Sequence, residues 1–101
     1  LELPSHTQKL LQKYGTPGDS RILRLAYHGE RASQPIISYL ISQYRIVINI
    51  LQGYIETIQE QPMGVMIVEI RGDQDNVDKS IQFLERNGLH VEILGYVKSD
   101  N

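Results

Sequence analysis

The stretch IVINILQGYIETIQ, residues 46–59, decides the fold, and the run MGVMIVEIR, residues 63–71, follows it after a short polar break. Both runs are rich in β-branched residues and long enough to form extended strands. The connection at residues 60–62 contains Pro62 and is short, so we predict a turn there that joins the two strands into a hairpin. Strict alternation puts five residues on one face of the first strand: Val47, Asn49, Leu51, Gly53 and Ile55.

The flanking segments complete an alternating order of strands and helices. Residues 20–28 and 89–97 alternate as strands, and two segments carry apolar side chains at helical spacing. Ser33 is predicted to cap the first of these helices, and the second is predicted to end at Asn87-Gly88. The order strand, helix, strand, strand, helix, strand predicts an α+β, ferredoxin-like fold, in which two helices cover one face of a four-stranded antiparallel sheet.

The chain of 101 residues fits one small domain. Residues 1–19 are predicted to be a lead-in, and a short helix and a linker are equally compatible with them. A capping-box pattern at Ser5 and Gln8 favours the helix, whereas the turn residues after Gly15 favour the linker. We therefore predict a folded domain over residues 20–98 and a tail over residues 99–101.

Composition argues against several classes of function. Ten basic residues against 12 acidic ones give a net charge of −2, and the basic residues do not cluster, so no nucleic-acid partner is expected. Without cysteine there is no thiol nucleophile, and the three histidines lie in different elements without metal-ligand spacing. The sequence has no phosphate-binding glycine loop and no apolar run long enough for direct membrane insertion. We expect no catalytic residue, metal site or cofactor in this chain, and Glu69 and Arg71 are interpreted as a strand end.

The second face of the long strand is the candidate functional surface. Because both helices cover the other face, Val47, Leu51 and Ile55 need some other cover, and we predict that they form a dimer interface. A partner domain, a small apolar ligand or partial exposure are the alternatives. The Asn49 amide offers donors and an acceptor to the charged groups of an amino acid, and Gly53 permits close approach. Alternatively, Asn49 pairs with the backbone and Gly53 marks a bulge.

The chain resembles the NIL domain, which is named after the tripeptide found here at Asn49-Ile50-Leu51. The resemblance covers residues 20–98. It also rests on Gly64 followed by VEI at residues 68–70 and Gly72, and on the ending VEILGYV at residues 91–97. This resemblance implies the ferredoxin-like fold and the regulatory C-terminal domain of a bacterial methionine ABC importer ATP-binding subunit.

The resemblance also implies partners and site residues. L-methionine is expected to bind near the interface of a homodimer and to inhibit import by feedback. The resemblance implies that Asn49 and Ile55 contact this ligand, and with Leu51 and Gly53 of the same strand they make up the predicted ligand site. Residues 1–19 would join the domain to an absent ATPase domain, which would hold ATP and Mg. Together with the membrane permease subunit, that ATPase domain would place the chain at the cytoplasmic face of the bacterial cell membrane. An ACT-like amino-acid sensor in another protein and a ligand-free dimerisation module remain alternatives.

Overall fold

A computed structural model describes residues 3–28 and 35–99, so the predicted cap Ser33 and residues 100–101 of the predicted tail lie outside the described residues. The described residues form three helices and four strands. In chain order these are α1 (Ser5–Leu10), β1 (Ser20–His28), α2 (Ile36–Tyr44), β2 (Val47–Ile58), β3 (Gln61–Arg71), α3 (Gln74–Arg86) and β4 (His90–Val97).

The four strands form one antiparallel sheet in the order β2-β3-β1-β4. Because β1 and β2 both run antiparallel to β3, they are parallel to each other, and α2 connects them; α3 connects β3 to β4 in the same way. The two βαβ units therefore interleave, which is the predicted ferredoxin-like arrangement. The fold prediction is confirmed, and α1 adds a third helix before β1.

The core lies between the sheet and the helices α2 and α3, on what we call the helix face. Leu23 and Leu25 from β1 meet Leu40 from α2 and Leu84 from α3, each no more than 1% exposed. Across the helix pair, the Tyr39 and Phe83 rings stack with centroids 4.9 Å apart. Burial of this continuous apolar cluster is the main stabilising term for so small a domain.

Helix α3 has clear start and stop signals. The Asp73 carboxylate accepts a hydrogen bond of 2.8 Å from the Asp75 N–H, and the predicted stop at Asn87-Gly88 is confirmed, because α3 ends at Arg86 and Gly88 has φ 86°. The Arg21 guanidinium bonds the Asp78 carboxylate at 2.8 Å and is only 15% exposed. That ion pair fixes α3 over β1.

The hairpin turn lies earlier than predicted. Gln59 and Glu60 connect the strands, with φ of 52° and 67°, so both central residues are left-handed, as in the two-residue turns that match strand twist. Pro62 pairs with Thr57 inside β3, beyond the point where β1 ends opposite Met63. Among the described residues only β2 neighbours β3 at that level, and proline is tolerated at such an edge position.

A bulge in β2 overturns the predicted face assignment. Ile50 pairs with Val68 while Gln52 pairs with Ile67, so Leu51 is an extra residue in β2. A one-residue shift exchanges the faces of all later side chains. The register therefore places Asn49 on the face away from α2 and α3, which we call the open face, and Gly53 and Ile55 on the helix face. The prediction that Val47, Asn49, Leu51, Gly53 and Ile55 share one face is wrong.

Residues 3–14, the N-terminal arm, cross the open face before β1 begins. Gln12 and Tyr96 exchange two backbone hydrogen bonds of 2.7 and 2.8 Å, which attach the arm to the outer edge of β4. A second bulge, between the pairs Ile22–Gly95 and Leu23–Ile93, brings Gly95 to the open face. A Cβ on Gly95 would lie 2.7 Å from Leu11 Cδ1 and 2.8 Å from the Gln12 carbonyl oxygen. The arm therefore packs directly on the Gly95 backbone.

The loop that follows the arm is held by Asp19. The carboxylate accepts hydrogen bonds from the Thr16 N–H at 2.9 Å and the Thr16 hydroxyl at 3.1 Å. The Thr16 N–H stabilises the charged form, so the pKa of Asp19 lies below its usual value. The loop thus directs the chain from the arm into β1.

We predict that Gly95→Ala loosens the arm while leaving the sheet folded. The added methyl would meet backbone as well as Leu11, and overpacking of this kind costs about 1–3 kcal/mol. Amide exchange at Gln12 should accelerate about 5–150-fold, since local opening free energy sets that rate. Hydrogen exchange followed by mass spectrometry measures it.

Gly53→Ala is the matched control for this experiment. Its Cβ would lie 3.2 Å from Met66 Cγ, a flexible side chain that can move aside. Exchange at Gln12 should stay unchanged in this variant. Equal exchange in Gly95→Ala and the unmodified chain would show that Gly95 does not hold the arm.

Candidate functional site

A cleft of about 540 Å³ lies between the N-terminal arm and the open face. Volumes of this size are typical of small-molecule sites. The arm contributes His6, Thr7, Lys9, Leu10, Leu11 and Gln12. The sheet and its C-terminal extension contribute Ser20, Ile22, Asn49, Leu51, Glu69, Arg71, Val97, Lys98 and Ser99.

Two of the four predicted ligand residues line this cleft. Asn49 reaches it from the regular part of β2. Leu51 keeps the same side as Asn49, because the bulge changes the face only of the residues that follow it. Asn49 is exposed, and its side chain forms no hydrogen bond with any described part of the chain. Solvent therefore compensates its placement in a strand, and its amide groups are available to a ligand.

Gly53 and Ile55 lie outside the cleft. Both are on the helix face, and Ile55 is 65% exposed near the end of the hairpin. Ile55 pairs with Gly64, and the Tyr27 ring crosses Gly64 so closely that a Cβ there would lie 2.8 Å from Tyr27 Cζ. Burial raises the pKa of the Tyr27 hydroxyl. In a single copy of the chain, Ile55 and Asn49 thus contact different surroundings.

The predicted dimer residues are distributed over both faces of β2. Val47 is on the open face and 55% exposed, whereas Ile55 is on the helix face. Leu51 is partly buried at the cleft. What these three residues share is β2, which lies at the edge of the sheet and has β3 as its only neighbouring strand among the described residues.

The structure brings to the cleft two charged residues that the sequence analysis interpreted only as a strand end. Glu69 pairs with Asn49, and Arg71 pairs with Val47, so both acidic and basic side chains project from β3 onto the open face beside the cleft. They follow the alternation of β3 and lie at its end, where charge is unremarkable. Only the register with Asn49 connects them to a site, and that register is not readable from sequence.

The bulge leaves a polar atom of Gln52 buried in an unfavourable position. Its Oε1 atom is buried and has no hydrogen-bond partner within the described part of the chain. An unpaired buried acceptor costs about 1–3 kcal/mol. Without the bulge Gln52 would be on the helix face, so the bulge turns this side chain to the open face, where its Oε1 is left unpaired within the described residues.

The described residues contain no group of three or more His, Asp or Glu side chains that could hold a metal ion. No helix within the described ranges is long and apolar enough to cross a membrane. What the cleft offers is binding chemistry: an amide, charged groups of both signs and an apolar floor of Ile22, Leu51 and Val97.

The sequence profile of the NIL domain matches residues 21–93. The chain is 40% identical over 74 residues to the methionine import ATP-binding protein MetN of Lacticaseibacillus paracasei, an alignment that covers 73% of this chain and 21% of that protein. It is 33% identical over 101 residues to the MetN protein of Coxiella burnetii, covering 100% of this chain and 29% of that one. The chain therefore spans less than a third of the length of these curated relatives.

A solved structure of similar fold is the C-terminal domain of an ABC transporter ATP-binding protein from Enterococcus faecalis. The TM-score is 0.64 with 31% sequence identity, and the superposition covers 74% of this chain and 83% of that one. This likeness relates the fold described above to a domain found at the end of an ATP-binding subunit.

Proposed function

This chain belongs to the NIL domain family, and we propose that it is a regulatory domain that senses L-methionine for a methionine ABC importer. The proposal rests on the match of the whole chain to part of a methionine import ATP-binding protein, together with a cleft of about 540 Å³ that contains Asn49. The domain itself carries out no chemical step.

The cleft suits a small amino acid with an apolar side chain. Leu10, Leu11 and Leu51 provide apolar contacts for a thioether, and the Asn49 amide provides a donor and an acceptor for the charged α-groups. The proposed contacts of Gly53 and Ile55 with the ligand require a different arrangement, in which a second copy brings its own surface to the site.

We predict that Asn49→Ala weakens L-methionine binding about 10–100-fold, because a hydrogen bond to a charged group contributes about 1.5–3 kcal/mol. Isothermal titration calorimetry on the chain measures this affinity. Folding should be unaffected, since Asn49 is exposed and makes no side-chain hydrogen bond with the described residues.

Thr57→Ala is the control, because Thr57 is exposed on the same strand and lies outside the cleft. Its affinity should match that of the unmodified chain, and Ile55→Ala tests the remaining predicted contact directly. An unchanged affinity in Asn49→Ala would remove Asn49 from the site. Absence of heat with the unmodified chain at millimolar methionine would leave the ligand-free dimerisation module as the better function.

We also propose that two copies pair along β2. This strand has 12 residues, and it carries exposed apolar side chains on both faces: Val47 and Ile58 on the open face, and Ile50 and Ile55 on the helix face. A long apolar edge strand favours pairing with another strand. Edge pairing would cover Val47 and Ile55 together although they point to opposite sides.

The chain should therefore sediment as a dimer at high micromolar concentration, and a double variant with Val47→Lys and Ile55→Lys should shift it toward an 11.6 kDa monomer. Charged side chains on both faces of the edge oppose association. Ile41→Lys is the control, because Ile41 is 41% exposed and belongs to α2 rather than to the edge strand β2. Sedimentation equilibrium distinguishes the species, and a monomeric unmodified chain would contradict the pairing.

The proposed regulation follows from the linkage between ligand and assembly. The parent subunit would hold ATP and Mg in its ATPase domain and would assemble with a membrane permease subunit at the cytoplasmic face of the membrane. A ligand shifts such a machine only through different affinities for its states, typically by about 1–3 kcal/mol. The arm lines the cleft and would also join the domain to the ATPase domain. Methionine bound in the cleft would therefore favour one state of the ATPase domain over the other.

We predict that methionine on the cytosolic side reduces import by a complete transporter carrying this domain, about 5–150-fold for a coupling of 1–3 kcal/mol. Uptake into vesicles loaded with methionine measures the inhibition. Import should persist with Asn49→Ala or when residues 20–101 are deleted, while Thr57→Ala should remain inhibited. Equal inhibition after the deletion would end the regulatory proposal.

A further inference from the structure

Three polar side chains, those of Asn49, Glu69 and Arg71, lie close together at one end of the open face. The register pairs Asn49 with Glu69 and Val47 with Arg71, so Glu69 and Arg71 project from the same side of β3 as Asn49 does from β2. Residues two apart along a strand are separated by about 6–7 Å. All three line the main cleft and also an adjoining hollow of about 290 Å³.

The charges of Glu69 and Arg71 are not used within the domain. Arg21 pairs with Asp78 at 2.8 Å and Arg24 approaches Glu92 at 4.0 Å, but neither Glu69 nor Arg71 has an ion pair or side-chain hydrogen bond within residues 3–28 and 35–99. Glu69 is also partly buried. A partly buried carboxylate without a partner is unfavourable, and a cationic ligand group would relieve that cost.

The cleft as a whole favours an anionic group. Lys9, Lys98 and Arg71 line it against one carboxylate, that of Glu69. Lys98 also lowers the pKa of Asp19, so part of its charge is directed there. One cationic side chain remains in excess even when Lys98 is set aside, although the chain has a net charge of −2. The cleft thus offers the Glu69 carboxylate to a cationic group of a ligand, and its remaining net positive charge favours an anionic group.

We propose that Arg71 and Glu69 make the cleft selective for the free, zwitterionic form of an α-amino acid. This inference rests on the proposed sensing function and specifies which groups of the ligand the side chains recognise. The Arg71 guanidinium would bind the α-carboxylate with two parallel hydrogen bonds, and Glu69 would accept hydrogen bonds from the α-ammonium. Asn49 lies beside Glu69, and its amide would form a hydrogen bond either to the α-carboxylate, as a donor, or to the α-ammonium, as an acceptor.

These separate roles of Arg71 and Glu69 predict which changes to the ligand weaken binding most. Rejection of a ligand that lacks a charged group is strong, because the matching charge in the site is left unpaired. Discrimination between apolar side chains of similar size is weaker, since one methylene is worth only about 10–200-fold. Esters, amides and N-acylated amino acids should therefore be excluded more strongly than amino acids with neighbouring side chains.

Calorimetry with three probes tests the inference. L-methionine has both charged groups, L-methioninamide lacks the carboxylate, and N-acetyl-L-methionine lacks the ammonium. The unmodified chain should bind each derivative at least tenfold more weakly than L-methionine. Arg71→Gln should lose most of its preference for L-methionine over the amide, and Glu69→Gln should lose most of its preference over the N-acetyl compound.

Two single variants, Arg24→Gln and Glu92→Gln, are the controls. This pair lies on the same face but outside the cleft, with side chains 43% and 53% exposed, and all three affinities should stay within about twofold. Thermal unfolding of every variant checks that the fold is retained.

The outcomes separate this inference from the function on which it rests. If L-methionine binds but Arg71→Gln and Glu69→Gln keep the preferences of the unmodified chain, the zwitterion inference is wrong and the sensing proposal stands. If L-methionine does not bind at all, the sensing proposal fails. Loss of one preference in each variant, with the other preference retained, is the result that supports separate roles for the two charges.

Discussion

The extra residue at Leu51 is the constraint on which the surface chemistry of this domain depends. Side chains alternate with a period of two along a strand, so a single inserted residue exchanges the faces of everything that follows. Before the bulge, Asn49 points to the open face; after it, Gly53 and Ile55 point to the helix face. The bulge separates Gly53 and Ile55 from the residues with which strict alternation would group them, and it leaves Asn49 and Leu51 together at the cleft.

Much of the fold was predictable because it depends on patterns with a strong period. The apolar stripe of α3, its stop at Asn87-Gly88 and the two strand-helix-strand units follow from side-chain spacing, and each is present in the structure. Turn position was less secure, because Pro62 indicates a turn in the sequence, whereas the structure accommodates it inside β3 opposite Thr57. The turn instead uses Gln59 and Glu60, neither of which signals a left-handed backbone.

The candidate site was only partly predictable, for a physical reason. A bulge carries no fixed residue signature, and here it falls between Ile50 and Gln52 in a run that is apolar on both faces, so the apolar pattern does not reveal the change of face. The contribution of the arm was hidden as well, because it depends on the close approach of Leu11 to Gly95, two residues far apart in sequence. Glu69 and Arg71 acquire meaning only through their register with β2.

One strand joins the two proposed activities. β2 carries Asn49 and Leu51 toward the cleft, and its outer edge is free to pair within the described structure. Pairing along that edge would order the backbone on which the ligand contacts depend, and a bound ligand would order the same backbone before pairing. Each event would then reduce the conformational cost of the other, which is a source of positive coupling without a large rearrangement. The shared strand thus offers a direct physical link between amino-acid binding and assembly.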